Sequence, residues 1–307
     1  MTSESRQQAS EPAEAEDGAC AAPHRAGRRA DLIAALAGDV ANGRAILFVG
    51  AGVSAQLGLP SWQQLIERLG EDLGFHADAF FSFSNDFRSL AEYYRLEKGS
   101  IRPLIEWMRR EWTVSDESLR GSRAHRLIAE LRFPLVYTTN YDCLLERAFA
   151  LHAHKFNKTI NARDMARADP SLPTIVKFHG DIEDGASLVV TETDYFRRLS
   201  FEEPLDVKLK ADMFGRSVLF LGYSLSDINL RLMLYRMRGM WLDSGYERLQ
   251  PRSYIFMPRP NPVQERISDS WGIAPIVGRS ADESEALLAF LENLCAAVAK
   301  IGRARSA

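Results

Sequence analysis

Glycine and serine residues directly follow an early apolar run of the sequence, in the segment that contains Gly50, Ala51, Gly52 and Ser54. Glycines at such a turn let the backbone bend sharply and come close to a pyrophosphate, whose charge the N–H groups of the loop and of the next helix can bind. The next glycine is Gly58, so the GxGxxG fingerprint of dehydrogenases is not met. A P-loop is not met either, because Arg-Ala stands where that motif needs Lys-Ser or Lys-Thr. The segment therefore indicates a phosphate-binding turn that belongs to neither class.

Asn140 and Asp142 follow another apolar run, at 135–138. Their amide and carboxylate groups can hydrogen-bond a ribose, an amide or a water molecule. The same segment also fits a turn in which Asp142 caps the following helix. Both interpretations remain open at this point.

His179 lies just past a further apolar run and directly precedes a glycine. The unperturbed pKa of histidine suits proton transfer near neutral pH, so His179 is a candidate general base. A histidine beside an apolar run is more often a hydrogen-bonded core residue. The position of His179 at the end of a predicted strand favours the catalytic interpretation.

Gly222 and Ser224 follow the apolar run that ends at Leu221. Glycine and serine at a strand end can hold a second phosphate or a ribose hydroxyl. The alternative is an ordinary loop in which Ser226 or Asp227 caps the next helix.

Six short apolar runs predict the strands that carry these segments. Stretches with helical periodicity separate most of them, which is typical of a doubly wound, mainly parallel, Rossmann-like α/β sheet. In such sheets ligands bind outside the carboxyl ends of the strands, so the four segments are expected to meet at one site. The predicted strands are 45–49, 135–138, 174–178, 217–221, 253–257 and 274–277.

The chain is predicted to form one domain at 30–307, preceded by a disordered tail at 1–29 that lacks aromatic residues and periodicity. One helix is expected at 31–41 and another at 283–301. Between about 75 and 130, irregularly alternating aromatic and charged residues predict a helical insertion. Its aromatic side chains are expected to pack against each other, with a ligand pocket as the alternative.

The composition excludes several classes of protein. A formal net charge of -3 and a pI of about 6.1 give no basic field that would draw the chain to nucleic acid or to an anionic membrane. Three widely spaced cysteines fit neither a disulfide framework nor a four-cysteine zinc site. No apolar run is long enough to cross a bilayer and no secretory signal is visible, so we expect a cytoplasmic protein.

The four segments read GAGVS, TTNYD, FHG and GYSL, and in this order they resemble the motifs GAGxS, TQNxD, HG and GTSL of the sirtuin superfamily. The match spans about residues 45–227 and is extended by Gly-Leu-Pro at 58–60, where sirtuins often have Gly-Ile-Pro. The chain looks most like the sirtuin-like domains of bacterial antiphage systems, which deplete NAD. The resemblance therefore implies that NAD is the substrate and that its nicotinamide–ribose bond is cleaved.

The resemblance also implies roles for single residues. Asn140 would orient the water or ribose near the scissile carbon, and Asp142 would hold the ribose or nicotinamide side. His179 would be the general base towards a ribose hydroxyl or water. The other positions would bind NAD, with Gly50, Ala51, Gly52 and Ser54 at the phosphates and Gly222 and Ser224 at the adenosine half.

Departures from the sirtuin pattern bear on the activity. Thr139 replaces the usual glutamine, and Ser-Trp-Gln follows Pro60 where deacetylating sirtuins commonly have Asp-Phe-Arg. The four-cysteine zinc module that helps build their acyl-lysine groove is missing. We therefore predict a metal-free NAD+ glycohydrolase that releases nicotinamide and ADP-ribose, with the share of cyclisation or transfer left open. The alternatives are a non-catalytic NAD or ADP-ribose sensor, a protein deacylase or ADP-ribosyltransferase and, least favoured, a dehydrogenase.

An unrestrained NAD hydrolase would kill its own host, so we expect the activity to be gated. No second sensor domain fits in the rest of the chain. We therefore expect a homo-oligomer, a separately encoded activating protein such as an ATPase or a nucleic-acid-guided sensor, or both. Direct contact of this chain with nucleic acid or membrane is not expected.

Overall fold

The computed structural model describes residues 21–225 and 227–306, which form a seven-stranded sheet with helices on both faces. The strands are β1 (Ala45–Val49), β2 (Leu135–Thr138), β3 (Asn157–Thr159), β4 (Thr174–Lys177), β5 (Ser217–Leu221), β6 (Ser253–Met257) and β7 (Ile273–Val277). Their order is β3-β4-β2-β1-β5-β6-β7, and every neighbouring pair is parallel. The predicted doubly wound α/β fold is therefore confirmed.

The strand order reverses at β1. Later strands lie on both sides of it, with β2, β4 and β3 on one side and β5, β6 and β7 on the other. Because all strands are parallel, their carboxyl ends meet at one edge of the sheet. A reversal of strand order opens a crevice at that edge, where ligands of such folds bind.

Fifteen helices surround the sheet within the described ranges, and none of them is both long and apolar enough to cross a bilayer. The helices are α1 (Ala21–Ala41), α2 (Ala51–Ser54), α3 (Trp62–Asp72), α4 (Ala77–Phe83), α5 (Phe87–Lys98), α6 (Arg102–Glu111), α7 (Asp116–Gly121), α8 (Arg123–Glu130), α9 (Leu144–Leu151), α10 (Ala162–Arg167), α11 (Glu192–Arg197), α12 (Pro204–Phe214), α13 (Ile228–Ser244), α14 (Pro262–Ser270) and α15 (Glu283–Ser306).

Both faces of the central strands are buried, which explains why these strands are apolar throughout. Leu47 of β1 lies in the core that includes Leu36 of α1 and Phe290 of α15. The next residue, Phe48, lies in the opposite core with Leu209 of α12. Successive side chains of a strand point to opposite faces, so a strand covered on both sides has no polar alternation to show.

The stretch between 75 and 130 contains α4 to α8, but these helices do not form one unit. Helices α3 to α6, together with side chains from the segments after β2 and β4, form a separate apolar cluster around the fully buried Phe80. The rings of Phe75 and Phe80 stack at 5.7 Å and those of Phe81 and Phe87 lie 5.6 Å apart. Helix α8 instead packs on the sheet through Ile128. The aromatic side chains of the stretch therefore pack mainly against each other, as expected.

Two elements differ from the sequence predictions. Helix α1 already includes Ala21, ten residues before the predicted start. The predicted tail at 1–29 was therefore wrong for 21–29. Residues 1–20 lie outside the described residues. Tertiary contacts hold the added turns, since Arg28 pairs with Asp269 at 3.3 Å and Arg29 Nε donates to the backbone oxygen of Val277. Strand β3 was not predicted, because its sequence Asn-Lys-Thr has no apolar residue and the strand forms by pairing with β4.

Candidate active site

A cleft of about 1150 Å³ lies at the carboxyl edge of the sheet. Residues that follow β1, β2, β4, β5 and β6 line it, together with side chains from the start of α5 and the end of α6. Of the nine residues predicted for the site, eight line the cleft and only Gly50 does not. The eight are Ala51, Gly52, Ser54, Asn140, Asp142, His179, Gly222 and Ser224.

The glycines of the first loop allow a close approach of the loop that follows β5. A Cβ atom at Gly50 would lie 2.4 Å from the backbone oxygen of Gly222, and one at Gly52 would lie 3.0 Å from the same atom. The Gly52 N–H donates to Gly222 O, and the Gly50 N–H donates to Leu221 O. Two amides of the loop are thus engaged by the protein and are not free for an anion. The glycines make room for the neighbouring loop, which itself turns at Gly222 with a φ of +62°.

Asn140 is buried and its side chain is held in one direction. Its Nδ2 donates to Ser54 Oγ at 3.0 Å, and its backbone N–H donates to Thr138 Oγ1 at 3.0 Å. Within the described part of the chain, Asn140 Oδ1 has no hydrogen-bond partner. A buried acceptor without a partner at a cleft wall is a group that a ligand hydroxyl or a water can satisfy.

His179 is buried between two aromatic rings, with Phe178 stacked on it at 5.5 Å and Tyr195 edge-on at 5.4 Å. Burial lowers the pKa of His179 to about 4; Asp227 opposes this shift and Arg198 adds to it. The imidazole is therefore neutral at neutral pH. Its Nε2 lies 3.3 Å from Asp227 Oδ2 but makes no hydrogen bond with any described residue, so it can act as a base.

Asp227 is a residue of the site that the sequence interpretation considered only as a helix cap. It is the cap of α13, because its Oδ1 accepts from the Leu230 N–H at 2.8 Å. Its other oxygen, Oδ2, faces His179. An aspartate five residues after Gly222 was the available signal. It was interpreted only as a helix cap, although one carboxylate can cap a helix and face an active-site histidine at the same time.

Arg88, at the start of α5, brings a positive charge from the helical insertion to the same cleft. Asp86 holds it through two hydrogen bonds, at 2.9 Å to Nε and 2.7 Å to Nη2. The guanidinium lies 5.4 Å from the centre of the Tyr195 ring. Asp86 first, and Asp227 to a lesser extent, raise the pKa of Arg88. No local sequence pattern indicated this residue.

Both interpretations of Asp142 are compatible with the structure. Its Oδ1 accepts from the Leu144 N–H at 3.0 Å, which satisfies a free amide at the start of α9. The side chain is also part of the cleft wall. Ser224 also lines the cleft, and its backbone oxygen accepts from Gln264 Nε2 at 2.6 Å.

Among the described residues, Cys143, Asp181 and Glu183 could by distance hold a metal ion. Lysines already neutralise the carboxylates of this group, since Lys158 Nζ lies 2.8 Å from Asp181 Oδ2 and 2.7 Å from Glu183 Oε2. Burial also raises the pKa of Cys143 to about 12, which disfavours the thiolate that would bind a metal. The donor set therefore fits a cation poorly, and a metal-free site remains a prediction.

Comparison with known families identifies a domain within the chain. Residues 134–276 match the family model described as a SIR2-like domain. This segment contains the loops that follow β2, β4 and β5 in the site. The chain therefore carries a SIR2-like domain, which confirms the resemblance to sirtuins that the four motifs indicated.

Particular curated proteins resemble the chain over a longer stretch. The NAD(+) hydrolases ThsA of Enterococcus faecium and of Bacillus cereus (strain MSX-D12) are 32% and 30% identical to it, over 67% and 72% of this chain. Defense-associated sirtuin 2 of Bacillus subtilis is 25% identical over 73% of this chain. The matches cover 42%, 44% and 22% of those proteins, so the chain spans less than half the length of these relatives.

Proposed function

We propose that this chain hydrolyses NAD at the nicotinamide–ribose bond and releases nicotinamide and ADP-ribose. One observation carries the proposal: a neutral, buried His179 and an Asn140 whose Oδ1 has no partner among the described residues line the same cleft. Its similarity to proteins named NAD(+) hydrolase supports the choice of substrate.

The chemistry of the bond suits these residues. Nicotinamide leaves from a cationic pyridinium as a neutral molecule, so its departure needs no strong general acid. The enzyme must instead stabilise the positive charge that develops on the ribose and place a water molecule. Asp227 and Asp142 supply negative charge at the cleft, and Asn140 Oδ1 accepts a hydrogen bond from the water or from a ribose hydroxyl.

His179 acts as the base. The water oxygen forms the new bond to the ribose carbon while the carbon–nitrogen bond to nicotinamide breaks, and the water proton passes to the His179 imidazole. The Asp227 carboxylate stabilises the imidazolium that results, until the proton passes to solvent. A positioned base of this kind contributes about 10²–10⁴-fold to the rate.

The remaining residues bind the rest of NAD. Ala51, Gly52 and Ser54 are proposed at the phosphates, with Gly222 and Ser224 at the adenosine half. Gly52 would contribute through the close approach of its backbone, because its N–H is engaged by Gly222 O. Gly50 contributes through shape, because it allows the loops after β1 and β5 to approach each other.

We propose that the activity serves antiphage defence in the cytoplasm and is gated, because constant loss of NAD would kill the cell that makes the protein. Homo-oligomerisation, a separately encoded activator such as an ATPase or a nucleic-acid-guided sensor, or both would supply the gate. A purified monomer with full constitutive activity would contradict gating.

Product analysis tests the proposed reaction. The purified protein is incubated with NAD, and nicotinamide, ADP-ribose and cyclic ADP-ribose are quantified. Hydrolysis predicts equal amounts of nicotinamide and ADP-ribose. A cyclic product would indicate cyclisation, NAD binding without turnover would favour a sensor, and absence of NAD binding would contradict the proposal.

A further inference from the structure

A buried lysine lies behind the two loops that follow β2 and β4. Lys177 is the last residue of β4, and its side chain has no exposed surface. Its ammonium donates a hydrogen bond to the backbone oxygen of Asp142. It also lies 3.2 Å from Glu146 Oε1 and 3.5 Å from Asp181 Oδ2. One cation thus contacts the loop after β2, the first turn of α9 and the loop after β4.

Stability alone does not explain this arrangement. Burying an ammonium with carboxylates is costly, and apolar side chains of similar volume are often as stable. Neither oxygen of the buried Glu146 carboxylate makes a hydrogen bond with a described residue. Burial raises the pKa of Glu146 and the nearby Lys177 lowers it. What Lys177 supplies and an apolar residue cannot is a donor for the Asp142 carbonyl.

The Asp142 carbonyl directly follows the last of the backbone hydrogen bonds that join the segments after β2 and β4. The Phe178 N–H donates to Thr138 O at 2.7 Å, and the Ile182 N–H donates to Tyr141 O at 3.0 Å. The carbonyl of Asp142 comes next along the chain, and the donor from β4 is the Lys177 side chain.

We propose that Lys177 is a positioning residue that fixes the backbone of Asp142 and thereby aims the Asn140 side chain relative to His179. Lys177 acts through Asp142 and does not touch the substrate. The proposal rests on the proposed NAD hydrolysis, because that reaction is what the positioned groups perform.

The test separates positioning from the removal of a buried charge. Lys177→Met alone leaves the Glu146 carboxylate buried without its cation, so the double variant Lys177→Met with Glu146→Gln is used. The double variant removes both charges at nearly constant volume, and the Asp142 carbonyl still lacks its hydrogen-bond donor. Lys158→Met is the matched control, because Lys158 belongs to the same charge cluster through Asp181 and has no hydrogen bond to Asp142.

Two quantities are measured on the whole chain. Hydrogen exchange at 140–144 is compared with exchange at 253–257 in β6, without any substrate, and NAD turnover is then measured at steady state. We expect the double variant to exchange faster at 140–144 only. We expect its kcat to fall by about 10²-fold with KM within about threefold, since small misplacement of reacting groups has that effect. Lys158→Met should leave both quantities unchanged.

Several results would overturn the positioning role. Equal loosening of 140–144 and 253–257, no loosening at all, or faster exchange with an unchanged kcat would each do so. The same loosening in Lys158→Met would also contradict it. Absence of NAD turnover in the wild type would instead bear on the proposed function: without NAD binding it would contradict that function, and with NAD bound it would indicate a closed gate or a sensor. In either case the substrate-free exchange comparison alone would then decide the role of Lys177.

Discussion

Protonation of His179 is coupled to folding, which allows its buried, neutral state to be tested without any substrate. Burial is the main cause that lowers its pKa from 6.5 to about 4. Between these pH values the unfolded chain binds a proton that the folded chain does not. The contribution of this difference to the free energy of unfolding is therefore fully present above pH 6.5 and is lost as the pH falls towards 4. A pKa difference of about 2.5, at about 1.36 kcal/mol for each pKa unit, corresponds to about 3.4 kcal/mol.

The variant His179→Gln removes this titration and keeps a polar side chain. The free energy of unfolding of the wild type should fall relative to that of the variant by about 2 kcal/mol between about pH 7.5 and pH 5, out of the total of about 3.4 kcal/mol. Urea unfolding of both proteins at several pH values measures the difference. His125, whose pKa is also lowered to about 4, is present in both proteins and cancels. A wild-type-minus-variant difference that stays constant across this range would refute the assignment of a buried, neutral imidazole.

Two further substitutions test the contacts around the site. Asp227→Asn keeps an oxygen to cap α13 but removes the charge that raises the pKa of His179. The acidic limb of the pH profile of kcat/KM should therefore move to lower pH, and kcat should fall about tenfold or more. An acidic limb that does not move would contradict this. Gly50→Ala places a methyl group 2.4 Å from Gly222 O and should lower the free energy of unfolding by about 1–3 kcal/mol. Gly38→Ala, in α1 with open space around it, should be neutral or stabilising by up to about 1 kcal/mol. Urea unfolding compares the two, and equal effects would argue against the close packing of the loops at Gly50.

The sheet could be predicted because burial leaves a direct record in the sequence. All five side chains of β1 are buried, so the strand shows as an unbroken apolar run. β3 could not be predicted, because a strand at the edge of the sheet does not require apolar residues. Its pairing also depends on β4, which follows it in the chain. The early start of α1 depends on contacts of Arg28 and Arg29 with distant residues, which local periodicity does not report.

The site was predictable as far as the ends of the strands determine it. Ser54, Asn140 and His179 line one cleft because parallel strands bring their carboxyl ends to the same edge. Asp227 was missed because a helix cap and an active-site carboxylate look the same in sequence. Arg88 was missed because its place depends on how the helical insertion packs.

NAD turnover by the wild type, Asn140→Ala and His179→Gln tests the central claim most directly. Asn293→Ala and His76→Gln are matched controls, since both of these residues are exposed and lie outside the cleft. The wild type and both controls are expected to release nicotinamide and ADP-ribose in equal amounts. The rate should fall by about 10²-fold or more in each of the two site variants. Turnover that persists at the wild-type rate in both site variants would contradict the assignment of this cleft as the active site.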